Sequence, residues 1–190
     1  MKLDLEEKIL IEIIFKNGKL TKDQILKVNL EKLTIIASSH LMLPCLYFKI
    51  KEKKYLNYFP DEFTDYLKEI YQINKNRNNQ GLIEIKELSK LFNDNCIDHV
   101  FLKGAAMLAG NLYKDLGARM IFDIDFLVKR RDQKKIKEIL LKNSYQESKE
   151  ILFFNDKHLP KMYSKKKLFG IEPHLKLLDK RNNLVKIEFD

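Results

Sequence analysis

The amino-acid sequence predicts an α+β protein: an all-helical region over residues 1–95 packing on a small mixed-sheet core with flanking helices over residues 96–190. Three observations lead there. In the first half, apolar residues recur at three- and four-residue spacing between recognisable helix caps. From Asp98 onward, short apolar runs alternate with polar turns, the pattern of strands. No Gly/Ser linker and no internal repeat separates the two patterns, so the change near residue 96 is one of structural class.

Leu3 to Phe15 places apolar residues at 3, 5, 9, 10, 13 and 14 on one helical face, and Asn17-Gly18 ends it. Thr21-Lys22-Asp23-Gln24 is a capping-box pattern that opens a second helix, to about Val28. A third helix spans Leu30 to Leu41, and a fourth follows Pro44 through Leu46 and Ile50. Pro60-Asp61-Glu62 puts proline and acids in the first turn of a long helix. Its expected face carries Phe63, Tyr66, Leu67, Ile70, Tyr71 and Ile73 and continues through Ile83, Ile85, Leu88 and Leu91. Asn78-Asn79-Gln80-Gly81 is the candidate break in it. A strand over 99–103, a helix over 104–113 and a strand over 120–128 then form one unit. Asp132 caps a helix to about Asn143, and Tyr145 to Phe154 reads as a strand pair or sheet edge. Leu168 to Leu178 and Leu184 to Phe189 read as strands joined by the polar turn Lys180-Arg181-Asn182-Asn183.

With 45% hydrophobic and 33% charged residues, the 190-residue chain has the composition of a folded domain rather than of a disordered segment. Its net charge of +9 is unevenly spread. Residues 1–95 carry 16 lysines and arginines against 14 acids, whereas residues 96–190 carry 20 against 13. The basic second half suits a polyanionic ligand such as a nucleoside triphosphate and permits nucleic acid. Cys45 and Cys96 lack metal-ligand spacing and are expected as reduced core residues of a cytoplasmic protein. Acids stand near the N-terminus where a signal peptide would be apolar, and no apolar run is long enough to predict a membrane span.

The chemistry concentrates between Val100 and Val128. Asp123 and Asp125 lie two apart in an apolar strand, so both carboxylates project from one face. Like charges there repel and resist desolvation unless a cation lies between them, which points to divalent metal. On that account, Asp123→Asn relieves repulsion and is expected to raise the melting temperature. Upstream, Lys103-Gly104 breaks a strand into a helix. Gly104 leaves backbone N–H groups open to phosphate, and its replacement by valine is expected to be cheap for stability if its dihedrals are ordinary. Lys103 offers a point charge to a triphosphate. Arg119 either binds phosphate in a bidentate manner or pairs with the carboxylates.

These residues resemble the polymerase-beta-type nucleotidyltransferase superfamily: a strand, a glycine turn opening a helix, then a strand with Asp-x-Asp. Leu102-Lys103-Gly104-Ala105-Ala106, then Arg119 and Asp123-Ile124-Asp125-Phe126-Leu127-Val128, are similar to a poorly characterised bacterial branch in which Lys-Gly replaces Gly-Ser. The resemblance covers about Asp98 to Leu178. It implies a third carboxylate on a later strand, held in that branch by Glu-x-His after a His-Leu-Pro segment. Here those are His158-Leu159-Pro160 and Glu172-Pro173-His174. Glu172 is the preferred third ligand and Glu188 its rival, while Pro173 departs from the usual apolar residue and threatens the strand. His174 and His158 either order a carboxylate or contact substrate.

The implied activity is Mg²⁺- or Mn²⁺-dependent transfer of a nucleoside monophosphate from an NTP, ATP included, to a protein, RNA or small-molecule acceptor. Asp123, Asp125 and Glu172 would hold two ions roughly 3.5–4 Å apart. Roles in toxin–antitoxin or defence systems follow from the resemblance alone. The alternative is a degenerate nucleotide- or RNA-binding module, which a missing third carboxylate would favour.

Overall fold

The computed structural model describes residues 3–16, 18–148 and 158–177. Local signals set the first helices. Helix α1 (Leu5–Phe15) starts at Asp4, whose carboxylate accepts the Glu7 N–H while the Glu7 side chain accepts the Asp4 N–H. Thr21 and Gln24 make the same reciprocal cap on α2 (Lys22–Leu26). Asn29 caps α3 (Leu30–Ser39), and Pro44 sits in the first turn of α4 (Leu43–Glu52). A 34-residue helix, α5 (Asp61–Asp94), follows. No single described helix is long and apolar enough to cross a membrane.

The chain forms two compact units. The first holds the residues up to Asn78 together with Asp115–Met120; the second holds Asn79–Lys114 and the residues from Ile121 onward. In the first unit Ile13, Leu33, Leu46, Ile50 and Leu67 are fully buried in one apolar core.

The inward stripe of α5 runs Leu67, Tyr71, Asn74, Asn78, Gly81, Ile85, Leu88, Phe92, alternating three- and four-residue steps. Tyr66, Ile73 and Ile83, expected on that face, are instead 43%, 54% and 50% exposed. Asparagines take the inward places because they have backbone to satisfy. Asn74 donates to the Gly117 and Arg119 carbonyls, and Asn78 to those of Leu116 and Arg119. Helix α5 passes Asn78–Gly81 without a break. At Gly81 a Cβ would stand 3.1 Å from the Phe169 ring, so the glycine permits close packing.

Among its described residues, the second unit contains a five-stranded sheet in the order β1-β2-β5-β4-β3. Its elements are β1 (His99–Phe101), α6 (Lys103–Ala109), β2 (Asp123–Val128), α7 (Gln133–Lys142), β3 (Gln146–Glu147), β4 (Met162–Tyr163) and β5 (Gly170–His174). Strands β2 and β5 are parallel and the other neighbours antiparallel, so the sheet is mixed and the fold α+β. Strand β2 begins at Asp123 rather than at 120, and α6 ends at Ala109 rather than near 113. Strand β4 has only two residues, too few for a period-2 pattern to reveal. Ile124, Phe126 and Val128 point to one face, where the Phe126 ring meets Phe92 of α5 at 4.9 Å. Asp123 and Asp125 point to the other.

Pro173 leaves β5 intact. Its carbonyl accepts the Leu159 N–H, so the edge away from β2 is where its missing N–H falls. Cys45 is half-buried, and burial raises its thiol pKa. Cys96 is exposed, in a left-handed turn at φ 52°, and so is no core residue. The expected strand Leu184 to Phe189, its preceding turn, and the edge segment beyond residue 148 up to Phe154 lie outside the described residues.

Candidate functional site

The ladder between β1 and β2 carries one residue past β1, through the Leu102 N–H to the Asp125 carbonyl. The chain then turns sharply at Lys103, which adopts φ 50°. A left-handed lysine costs about 1–2 kcal/mol. What offsets it is the ion pair the turn makes: Lys103 Nζ lies 2.6 Å from Asp125 Oδ1. Gly104 has no positive φ. A Cβ on Gly104 would lie 2.6 Å from Ile121 Cγ2, so the glycine is needed for packing. Its replacement by valine is therefore not cheap for stability, contrary to the expectation from its dihedrals.

The parallel register sets Asp125 beside Glu172, and Asp123 beside Gly170. Parallel partners point their side chains to one face, so Asp123, Asp125, Glu172 and His174 all rise from the same side of the sheet. Ligand atoms of Asp125, Glu172 and His174 lie within 4.8 Å of one another. His174 Nε2 is 2.8 Å from Asp125 Oδ1, and since a carboxylate only accepts, the imidazole donates. Its Nδ1 is buried with no hydrogen-bond partner among the described residues. His158 Nε2 stands 3.5 Å from Glu172 Oε1. Asp123 Oδ2 meets Lys161 Nζ at 2.7 Å.

Burial of Asp125 opposes ionisation, but the bonds from His174 and then Lys103 win and hold its carboxyl below the usual value. For both lysines burial favours the neutral amine, and the carboxylate each meets overcomes it. Asp125 raises Lys103, and Asp123 raises Lys161. The expected repulsion between the two aspartates is thus already neutralised by two ammonium groups. Asp123→Asn removes an ion pair rather than a clash, and the expected rise in melting temperature does not follow.

Of the sequence-level candidates, Lys103, Asp123, Asp125, Glu172 and His174 gather on one sheet face and its adjoining turn. Gly104 supports that turn. Arg119 is exposed, and its backbone carbonyl is held by Asn74 and Asn78. Asp123 meets Lys161, and Asp125 meets Lys103 and His174. Both histidines stand beside carboxylates, His174 at Asp125 and His158 at Glu172. Glu188 lies outside the described residues.

Sequence reasoning missed Lys161 and Glu84. Lys161 directly follows His158-Leu159-Pro160, a weak cue. Glu84 is 1% exposed on α5, and its carboxylate accepts the N–H groups of Leu168 and Phe169, which feed β5. An acid inside a buried helical stripe was the available signal.

No curated protein and no solved structure matches the chain. A family described as uncharacterised nucleotidyltransferases matches residues 27–190. The match reaches back through the helical region, well beyond the segment from Asp98 whose motifs suggested the resemblance. With strand–turn–helix, Asp-x-Asp and a neighbouring Glu-x-His assembled on one sheet, the chain belongs to this nucleotidyltransferase family.

Proposed function

We propose that the protein is a divalent-metal-dependent nucleotidyltransferase that moves a nucleoside monophosphate from an NTP to an acceptor. The observation that carries this reading is the register of β2 against β5. It brings Glu172 beside Asp125, two residues from Asp123, on one face. The donor set is mostly carboxylate oxygen, which fits Mg²⁺ or Mn²⁺; Asp125 and Glu172 belong to a group whose ligand atoms lie within 4.8 Å of one another, and Asp123 joins them from the same strand face. Asp123, Asp125 and Glu172 would be the ligands. A divalent ion held there would supply charge neutralisation on the triphosphate and lower the pKa of the attacking hydroxyl.

This chain's own residues do the positioning. His174 donates to Asp125 and fixes its carboxylate, while His158 Nε2 stands 3.5 Å from Glu172 Oε1, beside the second carboxylate. Lys103 brings a positive charge to the mouth of the site on a turn held by Gly104 and Ile121. Arg119 is proposed as a contact to phosphate. The acceptor is a protein hydroxyl, an RNA 3′ end or a small molecule, and a toxin–antitoxin or defence role in the cytoplasm is compatible with each. A degenerate binding module would be favoured by a missing third carboxylate, and the position of Glu172 beside Asp125 supports the enzymatic reading over it.

The test is incubation of the protein with each labelled NTP, Mg²⁺ and cell extract. A labelled product with the wild type, lost in Asp123→Asn and Glu172→Gln, supports the reading. No labelled product with any NTP, or label that persists in both variants, sinks it.

A further inference from the structure

Lys161 reaches Asp123 by crossing a strand. It leads into β4, Asp123 lies on β2, and β5 runs between them. The antiparallel pair Met162 and Ile171 sets Tyr163 opposite Gly170 and Lys161 opposite Glu172. Gly170 is in turn the parallel partner of Asp123. A Cβ on Gly170 would stand 2.5 Å from the Tyr163 ring and 3.1 Å from Lys161 Cε. The lysine stem and the tyrosine ring therefore lie over the glycine, in space any other residue would fill. The ammonium ends 2.7 Å from Asp123 and 5.7 Å from the Tyr163 ring centroid.

We propose that Lys161 is a stored counter-cation that becomes a phosphate contact, an inference that rests on the nucleotidyltransferase reading. The ammonium occupies Oδ2 of Asp123, a carboxylate proposed here as a ligand of the divalent ion. Both cannot take that oxygen, and the lysine, on a flexible four-carbon stem at the end of a two-residue strand, is the partner able to leave. Charge decides where it goes. Three acids (Asp123, Asp125, Glu172) and two lysines (Lys103, Lys161) leave the cluster at a formal −1, which one divalent ion turns to +1. The released ammonium then has no carboxylate to neutralise and faces a polyanionic triphosphate instead. Gly170 keeps its path over β5 open in both states.

The test uses calorimetric titration of the full chain, first with Mn²⁺ alone and then with a non-hydrolysable nucleoside triphosphate analogue at saturating Mn²⁺. Lys161→Met removes the competitor, so Mn²⁺ binds about fivefold tighter, the size of a partly exposed ion pair. The analogue binds roughly tenfold weaker, the size of a lost charged hydrogen bond. Lys161→Arg keeps the charge and stays near wild type for the analogue. Wild-type binding of both ligands with unchanged constants in Lys161→Met overturns the role of Lys161 alone. A wild type that takes up no Mn²⁺ overturns the metal-site reading, and this inference with it. Weaker Mn²⁺ binding in Lys161→Met also overturns it, because a lysine that merely supports the strand would act in that direction.

Discussion

Asp125 and His174 form a buried carboxylate–imidazole pair, 2.8 Å apart and each about 2% exposed, on neighbouring parallel strands. His174 is the register partner of Leu127, two residues beyond Asp125, so the contact runs diagonally across the ladder. It gives Asp125 a fixed orientation that Asp123, held by the end of a long lysine, does not have.

The two aspartates should therefore respond differently to amidation. Asp125→Asn places an amide against two donors in a dry site and is expected to lose about 1–2 kcal/mol. In thermal melts that is a fall of roughly 3–6 °C, whereas Asp123→Asn stays close to wild type. A rise for either variant would show that like-charge repulsion dominates the site.

Glu172→Gln is expected to lower nucleotidyl transfer roughly a hundredfold or more, while Glu188→Gln leaves most of it. Rates with labelled NTP compare the two directly. The reverse ranking would transfer the third-ligand role to Glu188.

Gly104→Val should be destabilising by about 1–3 kcal/mol, since its Cβ would meet Ile121 Cγ2 at 2.6 Å. Denaturant midpoints measure this. Pairing it with Ile121→Ala should recover part of the loss, and a double variant no better than the single one would place the strain elsewhere.

Asn78→Ala takes the side-chain donor from the Leu116 carbonyl, while that of Arg119 keeps Asn74, at about 1–3 kcal/mol. Hydrogen exchange of residues 115–119 should speed up more than that of α1. Uniform acceleration would mean global destabilisation and no local role.

Glu6 sets an acid limb on stability. The Asn29 N–H first, and Lys32 less strongly, hold its carboxyl below the ordinary value of 4.5. A depressed native pKa stabilises above the unfolded value and is lost as pH falls through the native one. Stability measured below pH 4.5 should therefore drop less steeply in Glu6→Gln, which is the weaker protein at pH 7. Parallel curves for the two would assign the acid limb to other carboxylates.

Sequence alone determined what local geometry controls. The caps at Asp4 and Thr21 lie within three residues of their partners, and the shared face of Asp123 and Asp125 follows from a two-residue repeat. Glu172 and His174 were legible through their motif. Tertiary structure decided the rest. Lys161 meets Asp123 across 38 residues, and Glu84 meets Phe169 across 85. Asn74 and Asn78 replace apolar side chains on α5 because backbone carbonyls of the 116–119 segment need donors there. Gly104 and Gly170 are explained by what stands opposite them, Ile121 in one case and the Lys161 stem with the Tyr163 ring in the other. Spacing along the chain records which side chains share a face. It does not record which distant strand lies alongside, and that neighbour decides whether a carboxylate meets a proton donor, an ammonium or a second carboxylate.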